Sequence, residues 1–321
     1  MSLGLPSIFG KRRIAPTAYL THPDCVLHSM GTYHPECPDR LAAIQDALMK
    51  AGLWDHLKHV EAPAASMHEL ERVHPHAYVE ALRKLSPQQG IVHLDPDTAM
   101  APHTWQAALH AAGAVVKATD LVVDGEVRNA FCAVRPPGHH AEIEKAMGFC
   151  FFNNVAVGVR HALSRQGIRK VAVVDFDVHH GNGTEDIFKA DDKVLMVSIF
   201  QHPFYPYSGE HPLGINMHNT PMRAGSGSAA FRAVVEKLWL PELDRFKPDI
   251  IFISAGFDAH RDDDMASMAL CDDDYGWVTE RLMDVADRHC DDRIVSSLEG
   301  GYCLSALGRS ATAHIRTLAG L

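Results

Sequence analysis

Short apolar segments recur along the chain and are separated by longer segments with a helical period. The clearest is the valine-rich run at residues 171–174, which is apolar at every position and predicts a strand buried on both faces of a sheet. Comparable runs predict further strands at residues 17–20, 129–134, 194–199, 249–254 and 294–298. Their lengths and their polar or turn-forming flanks are typical of strands.

Amphipathic patterns between these runs predict helices. The first begins near Arg40, with Asp39 as its expected N-terminal cap. The other helical patterns cover residues 74–85, 103–116, 153–164, 231–243, 275–288 and 304–318. Asn153 is the expected cap of the helix that follows it. Residues 201–221 form a long loop rich in Pro, Gly and His, and a loop of this length is usually functional.

Strands that alternate with helices predict an α/β fold with a mainly parallel central sheet and helices on both faces. We expect residues 1–321 to form one such domain. Ligands in these folds bind beyond the carboxyl ends of the strands. Four polar clusters follow predicted strands directly, and this placement predicts one shared site. The clusters are RPPGHH, DFDVHHGN, SAGFD and EGGY.

The second cluster carries residues typical of a metal site. Asp175, Asp177 and His179 are spaced two apart, so on a strand they would line one side. Two carboxylates and an imidazole cannot share a buried face without a compensating cation. Asp258 in the third cluster would complete a set of three ligands with Asp177 and His179, as a catalytic zinc requires. The alternative is a strand end with solvated polar residues.

The first and fourth clusters carry groups suited to acid–base and oxyanion chemistry. His139 and His140 follow two prolines and a glycine that fix the backbone, and histidine moves protons near neutral pH. Tyr302 follows a Gly-Gly pair, and its phenol can donate a hydrogen bond to a developing oxyanion. The alternatives are two structural histidines in a rigid turn and a packed tyrosine.

Composition narrows the functional class. The net charge of −10 argues against general nucleic-acid binding and is compatible with a cationic substrate. The cysteines are odd in number and lack CxxC pairs, which favours a reducing compartment. No apolar run is long enough to span a membrane, and the N-terminal MSLGLPSIFGKRR has its charges in the wrong order for a signal peptide. We therefore expect a cytoplasmic protein.

Taken together, the motifs resemble the histone deacetylase superfamily, which includes acetylpolyamine amidohydrolases. The resemblance extends from YHPECPDRL to EGGY, with RPPGHH, GFCFFNN, DFDVHHGNGT and AGFDAH in order between them. Within the superfamily, the chain resembles the bacterial, class II-like branch, because Asn182 stands where class I members carry aspartate. The resemblance implies the arginase/deacetylase fold and one catalytic zinc, bound by Asp177, His179 and Asp258.

The resemblance also implies roles for further residues. Asp175 would pair with His139, and the matching partner of His140 is Asn182. A carboxylate favours the charged imidazolium whereas an amide only orients the ring, so we expect His140 to be the base and His139 an electrostatic stabiliser. Arg40 matches an arginine beneath the site that helps acetate leave. Structural potassium would bind backbone oxygens around Asp175, Asp177, His179, Ser198 and Ile199. We assign substrate binding to Phe149, Tyr205, Gly148, Gly301 and Met265.

The expected substrate is an acetylated lysine in a peptide or protein, or a related acetylated small amine. Polyamine-selective relatives carry an acidic residue at the channel mouth, and Met265 stands at that position here. A homo-oligomer, as dimer or tetramer, is compatible with the resemblance.

Two further functions stay open at this point. The segment Asp258–Asp262 also matches the DAHxD pattern of arginases, which use two manganese ions. A two-manganese site needs further carboxylates on a second strand, where DFDVHHGN has histidine and asparagine, and the RPPGHH cluster is additional. We therefore interpret His260, Asp262, Asp263 and Asp264 as a solvated rim. The other alternative is a non-catalytic acyl-lysine sensor with the same fold, which a missing ligand or tyrosine would have indicated.

Overall fold

The computed structural model describes residues 15–321. Its strands are β1 (Thr17–Thr21), β2 (Lys58–Glu61), β3 (Val92–His93), β4 (Ala99–Met100), β5 (Asn129–Cys132), β6 (Val171–Asp175), β7 (Val194–Gln201), β8 (Met217–Met222), β9 (Ile250–Ala255) and β10 (Ile294–Leu298). Its α-helices are α1 (Asp24–Leu27), α2 (Asp39–Lys50), α3 (Met67–Leu70), α4 (His76–Leu85), α5 (Thr104–Val123), α6 (Asn154–Leu163), α7 (Asn182–Phe188), α8 (Ser228–Val234), α9 (Leu240–Phe246), α10 (Asp272–His289) and α11 (Leu304–Ala319).

Eight strands form one sheet in the order β2-β1-β5-β10-β9-β6-β7-β8, and every neighbouring pair is parallel. Strands β5, β6, β7, β9 and β10 are buried at every position. This follows from their mainly apolar sequences, which need cover on both faces. Helices supply that cover, with α5 packed on α6 and α11 packed on α2 and α10. The predicted parallel sheet flanked by helices is confirmed.

Of the two helix caps predicted from the sequence, one is present in the structure and one is not. Asn153 caps α6 as predicted, because its side chain accepts a hydrogen bond of 2.9 Å from the backbone N of Ala156. Asp39 is not a cap, and that prediction is wrong. Pro38 already has helical dihedral angles, so Asp39 lies inside the first turn of α2. Its carboxylate there still interacts favourably with the helix dipole.

The predicted loop at residues 201–221 is interrupted by a strand that the sequence did not reveal. Strand β8 pairs in parallel with β7 at the edge of the sheet, and Pro221 lies opposite Phe200. Its sequence, MHNTPM, has neither an apolar run nor strict alternation. An edge strand needs neither, and it tolerates a proline because one side forms no ladder.

Two sequence-based expectations concern the chain ends and membranes. The prediction that MSLGLPSIFGKRR is not a signal peptide concerns a segment outside the described residues. Within residues 15–321, no helix combines the length and the apolar character needed to cross a bilayer.

Candidate active site

The four polar clusters follow four adjacent strands. Strands β5, β10, β9 and β6 are consecutive in the sheet, and RPPGHH, EGGY, SAGFD and DFDVHHGN lie at their carboxyl ends. Parallel pairing carries all four clusters to the same edge, as Asp175 opposite Ser254 and Leu298 opposite Ala255 illustrate. The sheet order therefore explains how segments separated by more than a hundred positions converge.

Asp177, His179 and Asp258 form a buried group whose ligand atoms all lie within 4.8 Å of one another. Nδ1 of His179 is 3.1 Å from Oδ1 of Asp177 and 3.2 Å from Oδ2 of Asp258. Bonds of about 2.0–2.2 Å to a tetrahedral metal would separate ligand atoms by about 3.3–3.6 Å. Oδ2 of Asp258 is buried without a hydrogen-bond partner in residues 15–321. The donor set therefore fits a metal ion.

Local turns, not strand alternation, align these ligands. Strand β6 ends at Asp175, and Oδ1 of Asp175 accepts a hydrogen bond of 3.0 Å from the N of Asp177. Oδ1 of Asp177 in turn accepts a hydrogen bond of 2.8 Å from the backbone N of His179. The prediction that one strand face carries all three residues is therefore wrong. Two successive Asx-type turns produce the same convergence.

Two glycines make room for the carboxylates. A Cβ atom on Gly256 would lie 2.0 Å from Oδ2 of Asp177, and one on Gly300 would lie 2.0 Å from Oδ2 of Asp258. The backbone N of Gly300 also donates to Oδ2 of Asp177 over 2.8 Å. Any larger residue at either position would displace a proposed metal ligand.

The charges in this group are poorly compensated by the protein itself. Burial and the Asp177 carboxylate raise the pKa of Asp258 to about 6. Burial opposes the charged form of His179, yet the two carboxylates raise its pKa to about 9. Both shifts reflect excess negative charge in a dry site, which a bound cation would relieve.

A second group, His22, Asp24 and His110, is less suitable for a metal. The backbone N of Asp24 donates to Nδ1 of His22 over 3.1 Å, so that lone pair is occupied. The rings of His22 and His110 stack at 3.5 Å with planes 4° apart. Lone pairs in parallel stacked planes do not converge on one ion.

The tandem histidines have different partners. Nδ1 of His139 lies 3.0 Å from Oδ2 of Asp175, whereas Nδ1 of His140 lies 2.7 Å from Oδ1 of Asn182. Burial lowers the pKa of His139, but the Asp177 and Asp175 carboxylates outweigh it and raise the pKa to about 10. Burial and the neighbouring histidines hold the pKa of His140 well below its usual value. His139 therefore favours the imidazolium and His140 the neutral ring.

Glu299 supports the tandem histidines, a role that was not predicted from the sequence. Its Oε2 accepts hydrogen bonds from the backbone N of Gly138 at 2.7 Å and of His139 at 3.1 Å. Burial raises the pKa of Glu299 to about 7. Its sequence signal was its place as the first residue of the EGGY cluster, directly after a buried strand.

A cavity of about 210 Å³ opens beside the metal ligands. His179, His140 and Tyr302 line it together with aromatic side chains. The ring of Phe149 stands at 87° to that of Tyr302, with centroids 6.0 Å apart. The complete lining comprises Asp97, His140, Gly148, Phe149, His179, Phe204, Tyr205, Met265 and Tyr302. Asp97 and Phe204 were not predicted as site residues: Asp97 lies outside every motif, and Phe204 directly precedes Tyr205, which was assigned to the channel.

The backbone of the cavity wall depends on Gly148. A Cβ atom there would lie 2.4 Å from Cδ2 of His140, and its φ is +56°. Phe149 also has a positive φ of 68°, which is a strained conformation for a bulky residue. Its backbone N donates to Oγ1 of Thr98 over 3.1 Å. The wall is thus held in place at a cost to the backbone, as is common at functional sites.

Gly301, assigned to substrate binding from the sequence, does not line this cavity. Its carbonyl oxygen accepts a hydrogen bond of 2.7 Å from Nε of Arg40. A Cβ atom on Gly301 would contact Leu307 and Phe257. The assignment is wrong in position, because the chain turns at Gly301 and presents only Tyr302 to the cavity. Arg40 is fully buried, and its guanidinium lies 5.0 Å from the Tyr302 ring centroid.

The acidic segment after Asp258 is not a solvated rim throughout. His260 and Asp263 are 1% and 4% exposed, and that part of the prediction is wrong. Oδ2 of Asp263 accepts hydrogen bonds from the backbone N of Tyr302 at 2.6 Å and of Cys303 at 2.9 Å. Asp262 and Asp264 are exposed, as predicted. Asp263 therefore anchors the turn that carries Tyr302.

We expect Asp263→Ala to lower kcat about 10- to 100-fold while the metal content stays at the wild-type level. Small displacements of a reacting group have costs of this order. The matched control is the exposed neighbour, Asp264→Ala, which should behave as wild type. Steady-state kinetics and metal analysis test this, and a folded Asp263→Ala protein with wild-type kcat would contradict it.

Comparison with known proteins identifies the family. A family model described as "Histone deacetylase domain" matches residues 34–318. The Histone deacetylase-like amidohydrolase of Pseudomonas aeruginosa is 38% identical over 296 residues, covering 90% of this chain and 77% of that protein. Histone deacetylase 14, chloroplastic, of Arabidopsis thaliana is 35% identical over 339 residues, covering 98% and 79%.

A similar structure supports the same assignment. The crystal structure of the HDA15 HD domain superposes with a TM-score of 0.90 and 36% identity, covering 95% of this chain and 88% of that chain. The chain therefore belongs to the histone deacetylase family.

Proposed function

We propose that this protein is a zinc-dependent deacetylase that hydrolyses the amide of acetyl-lysine or of a related acetylated amine. The observation that carries the proposal is the convergence of Asp177, His179 and Asp258 beside a narrow, aromatic-walled cavity. The unpartnered Oδ2 of Asp258 supports a metal ligand there. Nitrogen and oxygen donors in a three-residue set suit a catalytic zinc.

A zinc ion bound there would polarise the amide carbonyl and lower the pKa of a water. Nε2 of His140 takes the proton of the attacking water, since its neighbours keep that ring neutral. The hydroxyl of Tyr302 donates a hydrogen bond to the developing oxyanion. His139, held as an imidazolium, stabilises the negative charge. Proton return to the leaving nitrogen gives acetate and a free amine.

Structural potassium is part of the proposal. Oγ of Ser198 is a buried oxygen without a hydrogen-bond partner in residues 15–321, and Ser198 lies opposite Asp175 in the sheet. A potassium ion held by oxygens at this point would satisfy it. Cytoplasmic localisation and a dimer or tetramer stay predictions from the sequence.

The cavity supports a long, thin acyl-amine as the substrate class, because Phe149, Phe204 and Tyr205 provide an apolar wall for methylene groups. Met265 in the lining, in place of an acidic residue, favours acetyl-lysine. The carboxylate of Asp97 in the same lining is the observation that favours an acetylated polyamine as the second candidate.

Metal analysis combined with a turnover panel tests the proposal. We expect one equivalent of zinc per chain and faster hydrolysis of acetyl-lysine peptides than of acetylpolyamines. A preference for acetylpolyamines would select the second candidate. Two equivalents of manganese would indicate an arginase-like enzyme, and a zinc protein inactive on the whole panel would indicate a sensor.

The tandem histidines should differ in their kinetic importance. His140→Ala removes the proposed base and should lower kcat by about 10²- to 10⁴-fold, the usual contribution of a positioned acid–base group. His139→Ala should cost less, because only electrostatic stabilisation is lost. Both variants should retain metal, which elemental analysis checks. A larger loss of kcat in His139→Ala would reverse the assignment of the two roles.

A further inference from the structure

A half-buried carboxylate, Glu142, lies behind the tandem histidines and has no part in the proposed chemistry so far. Its Oε1 accepts a hydrogen bond of 2.8 Å from Nδ2 of Asn182, and Oδ1 of Asn182 lies 2.7 Å from Nδ1 of His140. Glu142 and Asn182 also line a second cavity of about 350 Å³. A hydrogen-bonded chain therefore connects that cavity with His140.

The backbone fixes the members of this chain close together. The N atoms of Gly183 and Thr184 donate to the carbonyl of His139 over 3.1 and 3.2 Å. A Cβ atom on Gly183 would lie 2.2 Å from the carbonyl O of Ala141, so only glycine permits this approach. The N of Glu142 donates to the carbonyl of Lys145 over 2.9 Å. The start of α7 therefore packs closely against the turn that carries the histidines.

Hydrogen-bond directions follow from the chemistry of the three groups. An ionised carboxylate only accepts, so Asn182 must present its NH₂ group to Glu142. Its carbonyl oxygen then faces His140, whose Nδ1 must carry the proton to donate. We infer that Glu142 is a positioning residue that orients the Asn182 amide and thereby selects the Nδ1–H tautomer of His140. The consequence for catalysis rests on the proposed function, in which Nε2 needs a free lone pair.

Asn182 alone would select this tautomer weakly. A neutral imidazole donates at one nitrogen and accepts at the other, and an amide offers one end of each kind. The amide can flip while the imidazole changes tautomer, and the hydrogen bond between them is kept. Within residues 15–321, the amide nitrogen has one other hydrogen-bond partner, Sδ of Met147 at 3.4 Å, which is a weak acceptor. The carboxylate of Glu142 is the strong directional group.

The first test reads the tautomer itself and needs no substrate. Protein labelled with ¹⁵N-histidine gives different long-range ¹H–¹⁵N cross-peak patterns for the two tautomers, and His140→Gln identifies the relevant signals. We expect only the Nδ1–H tautomer in the wild type and a mixture in Glu142→Gln, whose amide can donate or accept. Glu144→Gln is the matched control, because Glu144 is exposed and close by, and it should keep the wild-type pattern.

The second test is a rescue. In Glu142→Gln/Asn182→Asp, the introduced carboxylate can only accept, from the introduced amide on one side and from His140 on the other. The single tautomer should return in spectra recorded at alkaline pH, because the introduced carboxylate favours the imidazolium at lower pH. In Glu142→Gln we expect kcat to fall about tenfold, well short of the roughly 10⁴-fold cost of a fully wrong tautomer. KM should stay within about twofold, since substrate binding is unaffected. At that alkaline pH the double variant should recover most of kcat.

The outcomes separate this inference from the proposed function. An unchanged Nδ1–H pattern in Glu142→Gln would overturn the role of Glu142, whatever the enzyme hydrolyses. So would a mixture that persists in the double variant, because a structural defect is not repaired by exchanging the two groups. Absence of deacetylase turnover in the wild type would refute the proposed function and leave the tautomer result standing.

Discussion

Asp258→Ala is expected to abolish both metal binding and turnover. Asp258 supplies one of three proposed ligands, and its Oδ2, which has no hydrogen-bond partner in residues 15–321, lies 3.2 Å from Nδ1 of His179. Its Oδ1 accepts a hydrogen bond of 3.0 Å from the N of Val178, so its loss also loosens the turn between the other two ligands. A catalytic zinc with three protein ligands does not tolerate the loss of one.

Elemental analysis of the dialysed protein and a turnover assay measure this effect. The matched control is Asp262→Ala, because Asp262 is an exposed carboxylate that bonds Arg309 at 2.9 Å. That variant should keep full metal content and wild-type activity. Circular dichroism should show both variants folded. Full metal occupancy in a folded Asp258→Ala protein would refute the ligand assignment.

Tyr302→Phe should lose about 10²- to 10³-fold in kcat, or about 2.7–4 kcal/mol, as for removal of other oxyanion donors. Burial, together with the Asp258 carboxylate, raises the pKa of Tyr302 well above its usual value, so the hydroxyl stays protonated and able to donate. The substitution removes only that hydroxyl. The backbone anchor at Asp263 and the contact with Arg40 both persist.

Kinetics separate a donor from a packed ring. The fold, the metal content and KM should be close to wild type in Tyr302→Phe, with the loss confined to kcat. Tyr207→Phe is a suitable control, because Tyr207 is 77% exposed. Unchanged turnover in Tyr302→Phe would show that the phenol only packs.

The sequence was sufficient for the central sheet and for the position of the site. The runs at residues 171–174 and 250–253, which begin two of the strands, are apolar throughout, and the helices between them require parallel pairing. Parallel strands end at the same edge, so motifs that follow them must meet there. The histidines, the carboxylates and Tyr302 were therefore predictable as neighbours before any contact was known.

Local sequence did not determine which polar residues are buried. Asp263 and Asp264 look alike in the sequence, yet Asp263 is buried because it receives backbone N–H groups from 39 and 40 positions away. Glu299 likewise holds the backbone of His139 from 160 positions away. The cost of burying a carboxylate depends on whether donors reach it.

Strand β8 and the alignment of Asp177 with His179 were likewise not apparent from the pattern of apolar and polar residues. An edge strand is stabilised by hydrogen bonds to β7, which leave little trace in its own sequence. The two ligands are aligned by side-chain turns after β6 had already ended. The sequence by itself determined the periodic, apolar elements, because burial of their surface drives them. Only the tertiary structure decided the partners of polar groups, because hydrogen bonds join residues that the chain order keeps apart.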